Sequence, residues 1–284
     1  MSKLVVGCGY LGHRVARLWK DKGHHVHVVT RNADRAKNLE KEGFDPLVVD
    51  ITNPNNVTWP NAETVLFAVG FDHRKYQSID DVFVDGLKNV VSALPSPQRF
   101  IYISSTGVYG QTDGDWVDED SPCDPARPGG KACLAAEQIL GEIDWKQAVT
   151  VLRLAGIYGP DRVPRQADIR NGFPIPGSSG YLNLIHVDDA ASIVVTVGEH
   201  PSPANHYVVS DGQPVLRNDY YSELARLLEA PEPTFEAPPP ESHLAARANA
   251  SKRLLTDRLT RDINPNLQYP SYKEGLAAIV AASR

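Results

Sequence analysis

A strand-sized apolar run, Leu4-Val5-Val6, leads directly into Gly7-Cys8-Gly9-Tyr10-Leu11-Gly12. Leu11, Val15, Leu18 and Trp19 then follow the 3.6-residue period of an amphipathic helix. A strand, a glycine turn and a helix in immediate succession leave few folds open. Gly7 permits the tight turn out of the strand. Gly9 has no Cβ to hold a pyrophosphate away from the backbone, and Gly12 lets the helix sit close on the strand. The helix N-terminus offers free N–H groups and the positive end of its dipole to an anion. An isolated G-x-G-x-x-G is weak, because glycines also punctuate ordinary turns. The flanking strand and helix turn it into an expectation: a dinucleotide site over Gly7, Gly9, Tyr10, Leu11 and Gly12.

Further along, strand-like runs at Leu4–Val6, Val26–Thr30, Leu47–Val49, Val65–Val69, Phe100–Ser104 and Val149–Leu154 alternate with helical segments near 12–21, 33–42, 79–94 and 130–143. That alternation predicts an α/β fold, a doubly wound parallel Rossmann sheet with a smaller C-terminal substrate lobe. The expected division is a dinucleotide-binding domain over residues 1–160, its last strands and crossovers extending to about 210, and a mainly C-terminal lobe over 161–284. After Gly159-Pro160, Pro164, Pro174, Pro176 and Gly177-Ser-Ser-Gly180 break regular structure, as a functional loop does. A helix is expected near Asp219–Leu228. The proline-rich loop 231–240 reads as a stiff connector rather than a recruiting motif.

Charge and composition exclude several classes. With 29 Lys and Arg against 35 Asp and Glu, and no basic block interleaved with aromatics, nucleic-acid binding is not expected. No apolar run approaches the roughly 18 residues of a spanning helix, so no membrane role is expected. A cleavable leader is not expected either, because residues 4–6 already belong to the nucleotide fold. Three cysteines, Cys8, Cys123 and Cys133, have an odd count and no metal spacing, which fits a reducing cytoplasm. In His24-His25-Val26-His27, alternation puts His25 and His27 on one face of a strand. With no acid or cysteine adjacent in sequence, the cluster reads as a solvated strand start, and no metal is expected.

The second strand predicts which dinucleotide. In NAD-preferring versions of this fold an acid ends that strand and takes the ribose 2′-OH. Here it ends Val28-Val29-Thr30-Arg31-Asn32, with no acid before Asp34. Arg31 stands where a 2′-phosphate would lie, its planar fork matching phosphate oxygens, with Asn32 beside it and Arg35 and Arg14 in support. The cofactor expected is NADP(H); the plainer alternative is an exposed arginine opening a loop. Asp50 and Ile51 after the third strand are placed to meet the adenine. Ala68-Val69-Gly70 after the fourth would pass beneath the cofactor.

Phe100-Ile-Tyr-Ile-Ser-Ser-Thr-Gly-Val-Tyr-Gly110 resembles an extended short-chain dehydrogenase/reductase of the NAD-dependent epimerase/dehydratase superfamily. Leu152-Arg-Leu-Ala-Gly-Ile-Tyr-Gly-Pro160, Leu184-Ile-His-Val-Asp-Asp-Ala190 and Asn205-His-Tyr-Val-Val-Ser210 agree. The resemblance runs from residue 3 to about 280, and places Ile157 among the cofactor-binding candidates. Ser251-Lys-Arg with Tyr269-Pro-Ser-Tyr-Lys-Glu-Gly275 is most similar to the branch of bacterial YeeZ-like proteins. The resemblance implies that Ser105 hydrogen-bonds the reacting hydroxyl or carbonyl. It also implies a tyrosine acid/base one helical turn before a lysine that lowers its pKa. Anchored on Leu134-Ala-Ala-Glu137, those two positions fall on Gly129 and Cys133.

Lys131 lies about 200° around the helix from Cys133 and should point away. Tyr109 is the phenol nearest Ser105 in sequence and is the substitute proton donor considered. Cys133 has no identifiable base and is not expected to be a nucleophile. Thr106-Gly107 replaces the Asp-Glu pair of sugar 4,6-dehydratases, which sets that subclass aside. The acidic run Asp113 to Asp120 reads as a solvated face, and His186 with Asp188-Asp189 as structural.

The expected function is an oxidoreductase or epimerase using Ser105 and Tyr109 or a bound water, acting on a small carbonyl, hydroxyl or sugar-nucleotide-like substrate. The alternative is a catalytically silent NADP(H) sensor. A homodimer through helices 79–94 and 130–143 is possible by the same resemblance, with Val82, Val90, Val91 and Leu94 as an apolar face that packing on the sheet would explain equally well.

Overall fold

A computed structural model describes residues 1–283 apart from 56, 73–77, 178, 240, 241, 243, 244 and 246–249. Ser178 of the expected loop and Pro240 of the proline-rich connector therefore lie outside the described residues. The central sheet has seven strands: β1 (Ser2–Val6), β2 (His25–Thr30), β3 (Asp45–Val48), β4 (Thr64–Phe67), β5 (Arg99–Ser105), β6 (Val149–Leu154) and β7 (His206–Val209), in the order 3-2-1-4-5-6-7. β1 pairs with β2 and β4, β2 with β3, and β4 with β5, all parallel. The doubly wound parallel arrangement expected from the sequence is the one observed.

Both faces of the sheet are covered, which is why β1, β4 and β6 are almost continuous apolar runs rather than alternating ones. On one face Leu4, Val6, Val29, Val65 and Phe67 pack with Leu87, Val90 and Val91 of α3 (Gly86–Ala93) and with Ala136 and Leu140 of α4 (Pro128–Glu142). On the other lie α1 (Gly12–Asp21), whose Val15, Ala16 and Trp19 are buried, and the later helix Val187–Glu199. Gly198 of that helix sits so close that an added Cβ would be 3.4 Å from Ile101 and 3.6 Å from Trp19. Val82, Val90, Val91 and Leu94 are all buried within the single chain, so packing on the sheet accounts for them.

Three boundaries differ from the sequence reading, each for a physical reason. β3 begins at Asp45, because an edge strand tolerates Pro46. The helix expected over 79–94 opens as a π-helical turn, Asp81–Asp85, before α3. Val187–Glu199 carries buried residues on most of its surface, among them Ala190, Ala191, Ile193, Val194, Val195 and Val197, so its polar face is too narrow to announce a helix.

The chain divides into two compact units. The first holds residues 1–105, 128–153 and 191–207; the second holds 106–127, 154–190 and 208–284. Residues 106–127, which the sequence expectation keeps with the first domain, thus group with the C-terminal portion. The second unit has its own core of Tyr158, Ile169, Ile175, Leu184, Tyr220, Leu224, Tyr272, Leu276 and Ile279. Its helices include Arg217–Leu228 and Tyr272–Ala282. Gly275 of the latter must be glycine, since a Cβ would fall 2.1 Å from the Tyr158 hydroxyl.

Candidate functional site

Two of the three glycines of the opening motif are required by the chain itself, each for its own reason. Gly7 has φ +96°, and a Cβ there would lie 2.7 Å from the backbone of Ala68 and Val69. A Cβ on Gly12 would be 2.2 Å from the Gly7 carbonyl oxygen, so nothing larger lets α1 start where it does. A Cβ on Gly9 would meet nothing within 4 Å. No described residue crowds Gly9, which lies just before a ten-residue helix whose free N–H groups favour an anion. The loop fits a pyrophosphate.

A cavity of about 370 Å³ opens beside this loop, within the first unit. Of the residues expected to bind the cofactor, Gly7, Gly9, Arg31, Asp50, Ile51, Ala68, Val69 and Gly70 line it. Cys8, Val29, Thr30, Arg35, Val49, Thr52, Asp72 and Val82 line it as well. Arg35 donates to the Cys8 carbonyl at 2.6 Å, which fixes its guanidinium over the loop. Arg14 is turned instead to Tyr10, donating to its carbonyl at 2.8 Å and packing 4.4 Å from its ring. Asp50 Oδ1 accepts from the backbone and the hydroxyl of Thr52, at 3.0 and 2.8 Å, so its carboxylate is oriented before any ligand arrives.

Other expected cofactor residues have identifiable structural work. Asn32 caps the helix Ala33–Lys41, its side chain accepting from Asp34 and Arg35 N–H. Leu11 is buried at the start of α1, and Ile157 belongs to the second unit.

The end of β5 is held by a buried network. Ser104 donates to Glu137 Oε1 at 2.5 Å, and Arg153 meets the same carboxylate, Nη2 to Oε2 at 2.7 Å and Nε to both oxygens at 3.2 Å. A buried pair of this kind is tolerable because the carboxylate is fully hydrogen-bonded, and losing one partner would strand a charge. It braces β5 against α4 and β6, one residue before half-buried Ser105. Sequence reading used Glu137 only as an anchor; its partners are 33 and 16 residues away and carry no local signal.

Gly129 and Cys133 occupy the first turn and a half of α4. Burial pushes the Cys133 thiol up to about 11, with Glu137 nearby adding to the effect and the hydroxyls of Tyr102 and Ser104 opposing it. An unreactive, core-facing thiol matches the expectation from its lack of a base. Lys131 is exposed, as its angular position requires.

In the second unit, Tyr109 is 3% exposed and its carbonyl accepts from Lys252 Nζ at 3.0 Å. Burial draws that ammonium down to about 8, with Arg127 contributing. Sequence reading met Lys252 only inside Ser251-Lys-Arg, since nothing local links residues 143 apart. His186 is packed between the rings of Tyr158 and Tyr269, and the Asp189 carboxylate accepts the N–H groups of Gln268 and Tyr269, so both serve the fold. The acidic run is not wholly a solvated face: Glu119 is buried, accepting from Val208 N–H at 2.7 Å, with Arg258 at 3.7 Å.

The histidine cluster also departs from expectation. β3 brings Asp45 alongside it, in register with His27, an acid that sequence adjacency does not reveal.

The family model described as the NAD dependent epimerase/dehydratase family matches residues 3–210. Spanning well over half of the chain, that match settles the class: this is a member of the NAD dependent epimerase/dehydratase family. Among curated proteins, Protein YeeZ of Escherichia coli (strain K12) is 23% identical over 272 residues, covering 94% of this chain and 95% of its own. A 3-diazoavenalumate denitrifying reductase from Streptomyces sp is 24% identical over 311 residues, covering 97% and 99%. A solved structure of a candidate NAD-dependent epimerase/dehydratase from Methylobacillus flagellatus is 29% identical, with TM-score 0.79, over 100% of this chain and 98% of that one. Among the described residues, no helix is long and apolar enough to cross a membrane.

Proposed function

We propose that the chain is an NADP(H)-dependent oxidoreductase or epimerase acting on a small carbonyl, hydroxyl or sugar-nucleotide-like substrate. The observation that carries this reading is the pair Arg31 and Arg35 on the wall of the cavity, at the end of β2 where an acid would take a ribose 2′-OH. Two guanidinium groups there favour a 2′-phosphate, through charge-assisted and bidentate hydrogen bonds. The bound nicotinamide would supply or accept the hydride. Ser105, held by the braced end of β5, hydrogen-bonds the reacting oxygen. Tyr109, with its carbonyl anchored by Lys252, or a water in its place, holds the transferred proton. An odd count of three cysteines without metal spacing accords with a reducing cytoplasm.

The test is spectrophotometric: NADPH oxidation is followed with a panel of aldehydes, ketones and 4-keto sugar nucleotides, in wild type and Ser105→Ala. Turnover with at least one substrate, lost in the variant while NADPH affinity persists, is expected. Normal turnover in Ser105→Ala removes that residue from the mechanism.

A second reading is a silent NADP(H) sensor. Gly129 and Cys133 favour it, because neither offers a phenol or an ammonium and the Cys133 thiol is buried and protonated. Saturable NADPH binding with no turnover across the panel would select it.

A further inference from the structure

We propose that His25, His27 and Asp45 form a binding site for a divalent transition cation of the zinc class, clamping the edge strand of the sheet. His25 and His27 are two residues apart on β2, so their side chains share one face. Asp45, the first residue of β3, is the register partner of His27. Asp45 Oδ2 lies 2.9 Å from His27 Nδ1 and 3.6 Å from His25 Nε2, and one donor atom from each of the three residues falls within 4.8 Å of the other two. The imidazole rings stand 4.5 Å apart and nearly perpendicular, at 83°.

Around a tetrahedral ion with bonds of about 2.1 Å, neighbouring ligand atoms are separated by roughly 3.4 Å. The three donors are thus already near ligating separation, and rotation of the exposed His25 ring closes the remainder. Two imidazoles with one carboxylate select zinc, nickel or copper over magnesium or calcium, whose preferred donors are oxygens. His27 is the embedded ligand, with 14% of its side chain exposed, whereas His25 and Asp45 are 64% and 55% exposed, leaving an open side for water.

A simple ion pair accounts less well for the arrangement. One ring is enough to pair with the carboxylate, as His27 does at 2.9 Å, and that leaves the convergence of the second imidazole on the same oxygen unaccounted for. β3 pairs with β2 on one side only, so an ion bridging the starts of both strands would fasten the sheet edge. At 3.3 Å per residue, His27 lies about 10 Å and His25 about 16 Å along β2 from Thr30, which lines the cavity. The cation is therefore assigned a structural role, independent of the cofactor reading.

The experiment uses the full-length, tag-free, chelator-stripped protein, titrated calorimetrically with zinc chloride and separately with magnesium chloride. Expected are one equivalent of zinc with a dissociation constant in the micromolar range, no comparable binding of magnesium, and a raised melting temperature with zinc. His27→Ala and Asp45→Asn should each weaken zinc binding at least tenfold, with NADPH affinity unchanged. His25→Ala, at the most exposed of the three side chains, is the variant that keeps the test open if another unfolds. No stoichiometric zinc uptake by wild type, magnesium binding as tight as zinc, or unchanged zinc affinity in His25→Ala would overturn the proposal.

Discussion

The glycine loop at residues 7–12 and the first turns of α4 at residues 128–133 belong to the same structural unit, and each has a small residue where bulk would change its chemistry. In the loop two of the three absent side chains have a structural reason. Gly7 and Gly12 are pressed against backbone, and Gly9 faces open space. At α4 no such reason exists for Gly129: the nearest atom to an added Cβ is a flexible end of Ile79 at an ordinary 3.5 Å. A Cβ would fit there at ordinary contact distance, so glycine itself is not imposed by crowding at that position. The comparison separates two properties that usually travel together. The loop meets the geometric demands of a dinucleotide, while positions 129 and 133 of α4 supply neither a phenol nor an ammonium, and any turnover must draw on Ser105 and groups other than these two.

The largest effect should come from the loop itself. Gly9→Val ought to cut NADPH affinity at least a hundredfold with little change in melting temperature, since a Cβ there has no described atom within 4 Å. Gly12→Ala, in contrast, should cost about 2 kcal/mol of stability by overpacking. A Gly9→Val protein that binds NADPH normally would break the comparison on its firmer side. Next, Ser105→Ala should lower turnover about a hundredfold, in the range lost with a single oxyanion donor, and leave the NADPH dissociation constant within about twofold. A smaller effect, roughly tenfold, is expected on NADPH affinity in Arg31→Ala, the equivalent of one charged hydrogen bond, with NADH binding unaffected.

The smallest effect concerns two thiols, one in each region. Burial pushes both Cys8 and Cys133 up to about 11. Because the thiolate is the reactive form, each should resist alkylation at pH 8, with only about one thiol in a thousand ionised, and react faster as pH approaches 11. Rapid labelling of Cys133 at pH 8, mapped by mass spectrometry, would reinstate it as a nucleophile.

The loop was legible in the sequence because its signal is local: strand, glycines and helix follow one another within twenty residues. Arg31 was legible for the same reason, as the residue after a recognisable strand. What escaped is non-local. Arg35 was expected in support of Arg31, but its bond to the Cys8 carbonyl, 27 residues away, was not. The Ser104–Glu137–Arg153 network, Lys252 beneath Tyr109, and buried Glu119 all depend on segments that meet only after folding. Asp45 illustrates the limit most simply: its alignment with His27 is a matter of strand register, which a pass along the chain cannot read. The helix at Val187–Glu199 was hidden for the opposite reason, since burial on most sides removes the polar stripe that periodicity needs.

The central claim is that the cavity beside the glycine loop takes a dinucleotide bearing a 2′-phosphate. Direct titration of the protein with NADPH and, separately, NADH, read by nicotinamide fluorescence at one ionic strength, tests it. Saturable binding of NADPH at least tenfold tighter than NADH is the predicted result. Equal affinities, or tighter binding of NADH, would contradict it.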